Sequence, residues 1–425
     1  MQKEYQNVML FAMSYEAFTY PFLFLTIFFE SFLLVTFMST PARASRSRKA
    51  SDKTPKVAVI VPCWNEESTV AGTIESLLAL EYPKEKLSII LVDDGSTDNT
   101  LVEMSRFADS PQVMILKKEN GGKHTAVNMA IEHAKDAELI GCLDADSFVD
   151  PKALREILSC FDEEDVMAAT ASMSVHEPRT VMQRVQYVEY LLGIAMRHIF
   201  SASNSIYVTP GPFSFYRSQV FEKIGVFRHG HMTEDMEMAL RMQRAGYRIE
   251  NAIRARVYTK APETLSKLFK QRIRWNTGFL RNVLYDYRDL VGNRSRGALG
   301  LIILPFALIS MLFAIGMFGS SIVQFVQNTL HSIVITSGIP IKYLITNHSI
   351  SLFYLPYSTT FILAGILMAI IISLIIIGKR LSNTAGHGTL VPNIVLYVVI
   401  YTLISPLWLI WSVADVARGA KNTWR

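Results

Sequence analysis

"ELIGCLDAD", residues 138–146, is an apolar run that ends in two acids set two residues apart. A stretch this short and apolar, closed by polar residues, reads as a strand buried on both faces of a parallel sheet. Three earlier stretches have the same form: "VAVIVP" (57–62), "SIILVDDGS" (88–96) and "QVMILKK" (112–118). Helical patterning fills the gaps, at 69–80, 100–108 and 124–136, with Asp98 expected to cap the second of these helices. Strand and helix therefore alternate with short connections, which predicts an α/β fold with a doubly wound, mostly parallel sheet. In such a sheet ligands bind beyond the carboxyl ends of the strands. Asn65 and Glu66, Asp93 and Asp94, Lys123, and Asp144 and Asp146 all fall at those ends and should converge on one crevice.

The later soluble stretch is less regular. Residues 181–200 read as a long amphipathic helix, and "TPGPFSFYR" (209–217) as a Gly/Pro loop entering a strand. Residues 234–245 carry Met236, Leu240 and Met242 at helical spacing, with Thr233 as the expected N-cap, Glu234 and Asp235 in the first turn, and Gly246 as the stop.

Half of the 425 residues are hydrophobic and 19% are charged, too apolar for an ordinary soluble enzyme. The excess sits at 18–38 and after 298, where spans are expected near 298–327, 352–378 and 393–414. This divides the chain into an N-terminal span with its flank (1–50), a soluble domain (51–297) and a C-terminal membrane part (298–425). The basic run "ARASRSRK" (42–49) suits a cytoplasmic flank. "ARA" (42–44) also resembles a leader-cleavage site, but the apolar stretch is long for a leader and arginines surround it. An outside N-terminus puts 39–297, Lys379 and Arg380 inside, yet places Arg418, Lys421 and Arg425 outside, against the positive-inside rule. The net charge of +5 comes without a basic, aromatic-laced element, so nucleic acid is excluded as a partner. Cys63, Cys142 and Cys160 have no paired spacing and point to reduced thiols rather than a disulfide frame or zinc site.

Several motifs carry chemistry. Carboxylates at i and i+2 on a strand end point the same way, so Asp144 and Asp146 suit a hard divalent cation with positions open for phosphate oxygens; solvated loop acids are the alternative. A carboxylate in "DDGS" can accept from a ribose hydroxyl or base N–H, or can simply serve the turn. "NGGKHTAVN" (120–128) sets Lys123 and backbone N–H groups at a helix start, an arrangement fit for a diphosphate or for a surface turn. It lacks the spacing of a Walker loop. Asp235, at a helix N-terminus, is placed to take a proton from a hydroxyl; otherwise Glu234 and Asp235 only complement the helix dipole. In "QRIRW" (271–275), Gln271, Arg274 and Trp275 share one helix face. Arg grips phosphate oxygens, and Trp offers a flat surface for a sugar ring or anchors at a membrane interface.

Taken together, "VPCWNEE", "DDGSTD", "GGKHTAVN", "DADS", "GPFSFYR", "TED" and "QRIRW", in this order over residues 57–280, resemble the processive family-2 inverting glycosyltransferases. That group includes cellulose, chitin, hyaluronan and poly-N-acetylglucosamine synthases. The run "TED…PETLSKLFKQRIRW" looks most like the poly-β-1,6-N-acetylglucosamine synthases. The resemblance implies a GT-A fold, a UDP-sugar donor, Mg²⁺ or Mn²⁺ as cofactor, and a growing polysaccharide as acceptor. It implies nucleotide contacts from Pro62, Glu66, Asp94, Lys123, Asp144 and Asp146, with Asp146 the metal ligand. Asp235 would be the general base, and Gly211, Glu234, Gln271, Arg274 and Trp275 would hold the acceptor and pyrophosphate. The expected setting is the cell membrane, multi-pass, with the catalytic domain cytoplasmic, membrane lipids around it and a small accessory membrane subunit as a further partner. No FxVTxK gating segment follows "QRIRW", and one N-terminal span is evident where relatives often have two. A single-addition transferase acting on a lipid-linked acceptor and a non-catalytic membrane scaffold are the competing readings; "QRIRW" argues against the first and the intact acid set against the second.

Overall fold

The computed structural model describes residues 2–39, 53–338, 359–382 and 390–419. The basic run at 42–49, the start of the expected third span at 352–358, and Lys421 and Arg425 lie outside the described residues. Four helices are long and apolar enough to cross a membrane: α1 (Gln2–Ser39) through its part Thr19–Ser39, a stretch Leu299–Thr336, and helices Thr359–Ser382 and Leu390–Ala417. Each falls on an expected span.

By compactness the chain forms two units, Met1–Phe32 with Phe306–Ile372, and Leu33–Pro305 with Ser373–Arg425. Within the first, rings interlock the helices: Phe29 stacks on Phe306 with centroids 3.8 Å apart, and Phe22 meets Phe313 at 6.1 Å.

The second unit is built on one eight-stranded sheet. Its strands are β1 (Val57–Cys63), β2 (Leu87–Asp94), β3 (Val113–Lys118), β4 (Leu139–Cys142), β5 (Ser147–Val149), β6 (Val166–Val175), β7 (Ser214–Arg217) and β8 (Arg248–Thr259). The order across the sheet is β3-β2-β1-β4-β7-β6-β8-β5. The four strands expected from sequence are the parallel half, with Val57 opposite both Leu87 and Leu139. β7 then enters antiparallel between β4 and β6, and β6 runs parallel to β8. This mixed, mostly parallel sheet with helices on its faces is the GT-A arrangement that the motifs implied.

Local chemistry explains the helices. α2 (Val70–Leu78) buries Val70, Thr73, Ile74 and Leu77, the stripe of a 3.6-residue period. α3 is Thr100–Ser105, α4 Lys123–His133, α5 Ala153–Leu158 and α6 Val181–Ala202. α6 starts at a capping box in which Thr180 Oγ1 accepts from the Gln183 N–H and the Gln183 side chain accepts from the Thr180 N–H. α7 (Ser218–Ile224) is followed by α8 (Glu234–Ala245), which ends at Gly246 in the left-handed conformation (φ 83°). α9 (Leu265–Arg281) carries "QRIRW", and α10 (Leu304–Thr336), α11 (Thr359–Ser382) and α12 (Leu390–Ala417) complete the chain. α12 packs against α9 and α6, with Trp408 beside Phe269.

Two local expectations are corrected. The N-cap of α3 is Asn99, not Asp98; Asp98 sits one residue earlier and accepts from the Thr100 N–H (3.0 Å) and Oγ1. β4 ends at Cys142, so Asp144 and Asp146 lie in the turn beyond it and not on the strand. In that turn the Ser147 N–H closes on Asp144 O at 3.0 Å.

Candidate active site

Beyond the carboxyl end of β4, a cavity of about 440 Å³ opens in the second unit. Lys123, Asp144, Asp146, Gly211, Glu234, Asp235, Gln271, Arg274 and Trp275 all line it. Nine residues expected to form one site, spread over some 150 positions of sequence, thus share one wall. Pro62, Glu66 and Asp94 stand outside this lining.

Lys123 is the electrostatic hub. As the first residue of α4 it sends Nζ to Asp144 Oδ1 (2.6 Å) and Glu234 Oε1 (3.2 Å), joining the turn after β4 to the start of α8. Burial works against its charge, but Asp144, Glu234 and Asp235 outweigh it and hold the ammonium well above its ordinary pKa. Gly211 passes so close that a Cβ there would lie 2.5 Å from Lys123 Nζ and 2.6 Å from Asp144 Oδ1. A side chain there would force the Lys123–Asp144 pair to move.

The two acids of "TED" are driven apart. Burial tends to raise both, but Lys123 draws Glu234 below its ordinary value. Burial, aided by the charge on Glu234, raises Asp235 to about 6. The Met236 N–H donates to Asp235 Oδ1 at 2.8 Å, and Thr209 Oγ1 donates to Asp235 O, so both carboxylate and backbone are pinned. The turn before α8 is strained: Gly230, His231 and Met232 have φ of 52°, 53° and 68°. For His and Met these are uncommon conformations that need outside support. Asn282 Nδ2 supplies it, donating to Gly230 O and Thr233 Oγ1 at 3.0 Å each, and Arg274 Nη1 donates to Met232 O at 3.0 Å.

Asp146 is raised to about 7 by burial and by the neighbouring Asp144 and Glu66 carboxylates. Its own hydrogen bond is from Ser147 Oγ at 3.1 Å, with a longer one of 3.4 Å from Thr259 Oγ1. Crowded oxygens of one sign fit a hard divalent cation. No cluster of three or more acid, His or Cys side chains exists for a metal among the described residues. The donor set therefore fits a cation held by one or two carboxylates and completed by substrate phosphates, the usual habit of Mg²⁺. Glu66, raised by burial and by Asp144, accepts from Thr69 Oγ1 at 2.6 Å.

Asp94 serves the glycine loop. Its Oδ1 accepts from Lys118 Nζ (2.6 Å) and the Gly121 N–H (3.1 Å), and its Oδ2 from the Gly122 N–H (2.9 Å). Two of the backbone donors expected for a diphosphate are thus committed to Asp94, and the loop is clamped where α4 and Lys123 begin.

Sequence reasoning missed a second layer. Arg272 lies 4.2 Å from the Trp275 ring centroid as a cation–π partner and donates to Glu189 Oε2 at 2.5 Å. Glu189 also accepts from Tyr401 OH of α12. The spacing of Arg272 and Trp275, three apart on α9, was a usable signal; Glu189, Asn282 and Tyr401 offered none.

Comparison with known proteins supplies the family and the fold. A poly-β-1,6-N-acetyl-D-glucosamine synthase of Staphylococcus epidermidis is 29% identical over 311 residues, 72% of each chain. A protein of the same name from Staphylococcus aureus (strain COL) is 28% identical over 277 residues, 63% of this chain and 66% of that one. The solved structure of mannosyltransferase PcManGT from Pyrobaculum calidifontis, in complex with GDP-Man and Mn²⁺, superposes with a TM-score of 0.61 at 17% identity. It covers 96% of this chain and 99% of that one, and shows the fold to be shared. The profile of glycosyltransferase-like family 2 matches residues 55–278, more than half of the chain, and the protein belongs to that family.

Proposed function

We propose that this chain polymerises a β-linked hexosamine from a UDP-sugar, with inversion at the anomeric carbon, at the cytosolic face of the cell membrane, and passes the product across. The observation that carries this reading is the single cavity shared by Lys123, Asp144, Asp146, Asp235 and the Gln271/Arg274/Trp275 face. In the transfer step the acceptor hydroxyl oxygen bonds to the anomeric carbon and its proton passes to Asp235. The bond from that carbon to the diphosphate breaks, and the electron pair leaves with UDP. A carboxylate with a pKa near 6 is ionised at neutral pH yet basic enough to accept the proton.

Lys123, placed between Asp144 and Glu234, stabilises the departing diphosphate, and Arg274 adds a second cation. A divalent cation, Mg²⁺ or Mn²⁺, would be held by Asp146 together with the diphosphate and would supply charge neutralisation there. Pro62, Glu66 and Asp94 are assigned to the uridine end, Asp94 through the loop that it clamps. Gly211 leaves room beside the Lys123–Asp144 pair for the pyrophosphate and the acceptor, and Trp275, held by Arg272, presents its ring to the terminal sugar. Lipids surround the spans, and a small accessory membrane subunit completes the proposed assembly.

The names of the two Staphylococcus relatives support N-acetylglucosamine as the sugar. Purified protein in lipid, given a panel of UDP-sugars with Mg²⁺ or Mn²⁺, tests the proposal through UDP release and product length. A product ladder is expected with UDP-N-acetylglucosamine. A single added sugar would instead indicate a single-addition transferase, and no turnover with any nucleotide sugar a non-catalytic role.

A further inference from the structure

A second cavity, of about 880 Å³, opens in the same unit and shares no lining residue with the first. One wall comes from the ends of two membrane spans. Phe37 stands near the end of the span Thr19–Ser39, and Ile377, Arg380 and Leu381 stand near the end of Thr359–Ser382. Spans of this length cross the hydrocarbon core and end among the headgroups, so this wall lies at the lipid boundary. The facing wall belongs to the soluble domain. β8 supplies Arg254 and Arg256, and the approach to α5 and α5 itself supply Asp150, Lys152 and Glu156. Pairing of β8 with β6 jumps here from Ala252 opposite Ala171 to Arg256 opposite Ser172, which leaves Ile253, Arg254 and Ala255 as a bulge. Bulges re-aim side chains, and Arg254 is exposed between buried Ile253 and Ala255.

The charges of this cavity are mixed yet unpaired. Lys152, Arg254, Arg256 and Arg380 are its cations, and Glu81, Asp150 and Glu156 its acids. Among the described residues no ion pair joins an acid of this set to a cation of it. Asp150 is spent on the backbone, where it accepts from the Lys152 N–H at 3.0 Å. Glu156 is half-buried on α5, and its carboxylate accepts no hydrogen bond among the described residues. Burial raises its pKa, and the charges of Arg254 and Arg256 oppose that rise. The two arginines are thus near enough to act through space and too far to bond. The Arg256 and Arg380 guanidinium groups likewise bond nothing among the described residues. Partly desolvated charges in this state cost free energy unless a ligand completes them.

Opposite charges held apart in one cavity suit a ligand that carries both. Guanidinium groups grip phosphate oxygens two at a time. A primary ammonium brings three N–H donors to a carboxylate. The apolar wall from the two spans gives acyl chains a place to lie. We propose that this cavity binds the headgroup of a membrane phospholipid that bears a phosphate and a primary amine, of the phosphatidylethanolamine class. Arg254, Arg256 and Arg380 hold the phosphate, and Glu156 holds the ammonium. A lipid that is only anionic leaves Glu156 without a donor, and a quaternary ammonium has no N–H to give it. Such a lipid ties β8 and α5 to the ends of two spans. The site stands apart from the transfer reaction and does not depend on how that reaction is read.

The test uses the full-length protein in mild detergent with dioleoyl phosphatidylethanolamine, phosphatidylcholine or phosphatidylglycerol added, and counts retained lipid by native mass spectrometry. One phosphatidylethanolamine is expected to bind about tenfold more tightly than either other lipid, the scale of one hydrogen bond to a charged group. The same lipid should raise Tm of the wild type, as any ligand of the folded state does. Glu156→Gln should weaken phosphatidylethanolamine about tenfold and leave phosphatidylglycerol no weaker. Glu156→Asp, which keeps the charge, should recover part of the loss. Arg254→Gln combined with Arg256→Gln should weaken both lipids by similar factors. Thermal unfolding of the lipid-free variants identifies any that misfold. Equal retention of the three lipids, tighter retention of phosphatidylglycerol, or a Glu156→Gln loss common to all three overturns the assignment. So does displacement of the lipid by millimolar O-phosphoethanolamine, which has the headgroup charges without the chains and would mark the site as one for a soluble zwitterion.

Discussion

Gly278 of α9 faces Thr233, the residue before α8, so closely that a Cβ on it would lie 2.5 Å from Thr233 Cγ2. The "QRIRW" helix and the "TED" helix are therefore seated on each other without a spacer. Asn282, the C-cap of α9, bonds the same threonine. The position of Asp235 is set by α9 as much as by its own helix. Gly278→Ala is expected to push α8 away, lowering kcat at least tenfold while donor affinity changes little. Steady-state kinetics with donor and acceptor varied separately checks this; a kcat within twofold of wild type would refute the coupling.

Asp235→Asn should reduce transfer by about 10² to 10⁴, the typical contribution of a general base, and leave UDP binding by calorimetry within a few-fold. In the wild type, kcat should rise with pH through about 6 as Asp235 ionises.

The same shift fixes a sign for stability. Asp235 titrates in the folded protein at about 6, above its ordinary 3.8. Between those values the folded form keeps a proton that the unfolded form has released. Its contribution to stability therefore falls as pH rises through that window. Asp235→Asn removes the buried charge and should raise Tm at pH 8 relative to wild type. A lowered Tm at that pH would contradict the assigned burial.

Gly211→Ala should impair donor use, because its methyl group would collide with the Lys123–Asp144 pair. The expected result is a donor KM raised at least fivefold, measured by UDP release at saturating acceptor.

Removal of divalent cations with a chelator should abolish turnover, and Mg²⁺ or Mn²⁺ should restore it. Asp146→Asn should raise the cation concentration needed for half-maximal rate by at least tenfold. Metal titrations of UDP binding give a readout independent of turnover.

Asp94→Asn should weaken the clamp on Gly121 and Gly122. Each hydrogen bond to a charged group contributes roughly 1.5–3 kcal/mol. Amide exchange at these two glycines, measured by mass spectrometry, should accelerate, and donor affinity should fall with it.

The alternation of strand and helix over 57–146 was legible because each element announces itself within a few residues. "VAVIVP" is apolar throughout, and α2 repeats its apolar side chains at helical spacing. The site residues were legible because a few residue types, Asp, Lys, Arg and Trp, stood where those elements end. The DAD turn was misread because nothing in "CLDAD" tells where strand pairing stops; β7, arriving from residues 214–217, pairs only Leu139–Cys142.

The sequence by itself determined the membrane spans, the parallel half of the sheet and the identity of the acids, since burial period, length and side-chain chemistry are local properties. Only the tertiary structure decided that Asp94 holds a loop 27 residues away, that Glu189 holds Arg272 against the Trp275 ring, and that Arg197 faces a cavity without a counter-ion among the described residues. Those facts depend on which distant segments meet when the sheet closes, and a partner's absence, like its presence, is a property of the packed chain.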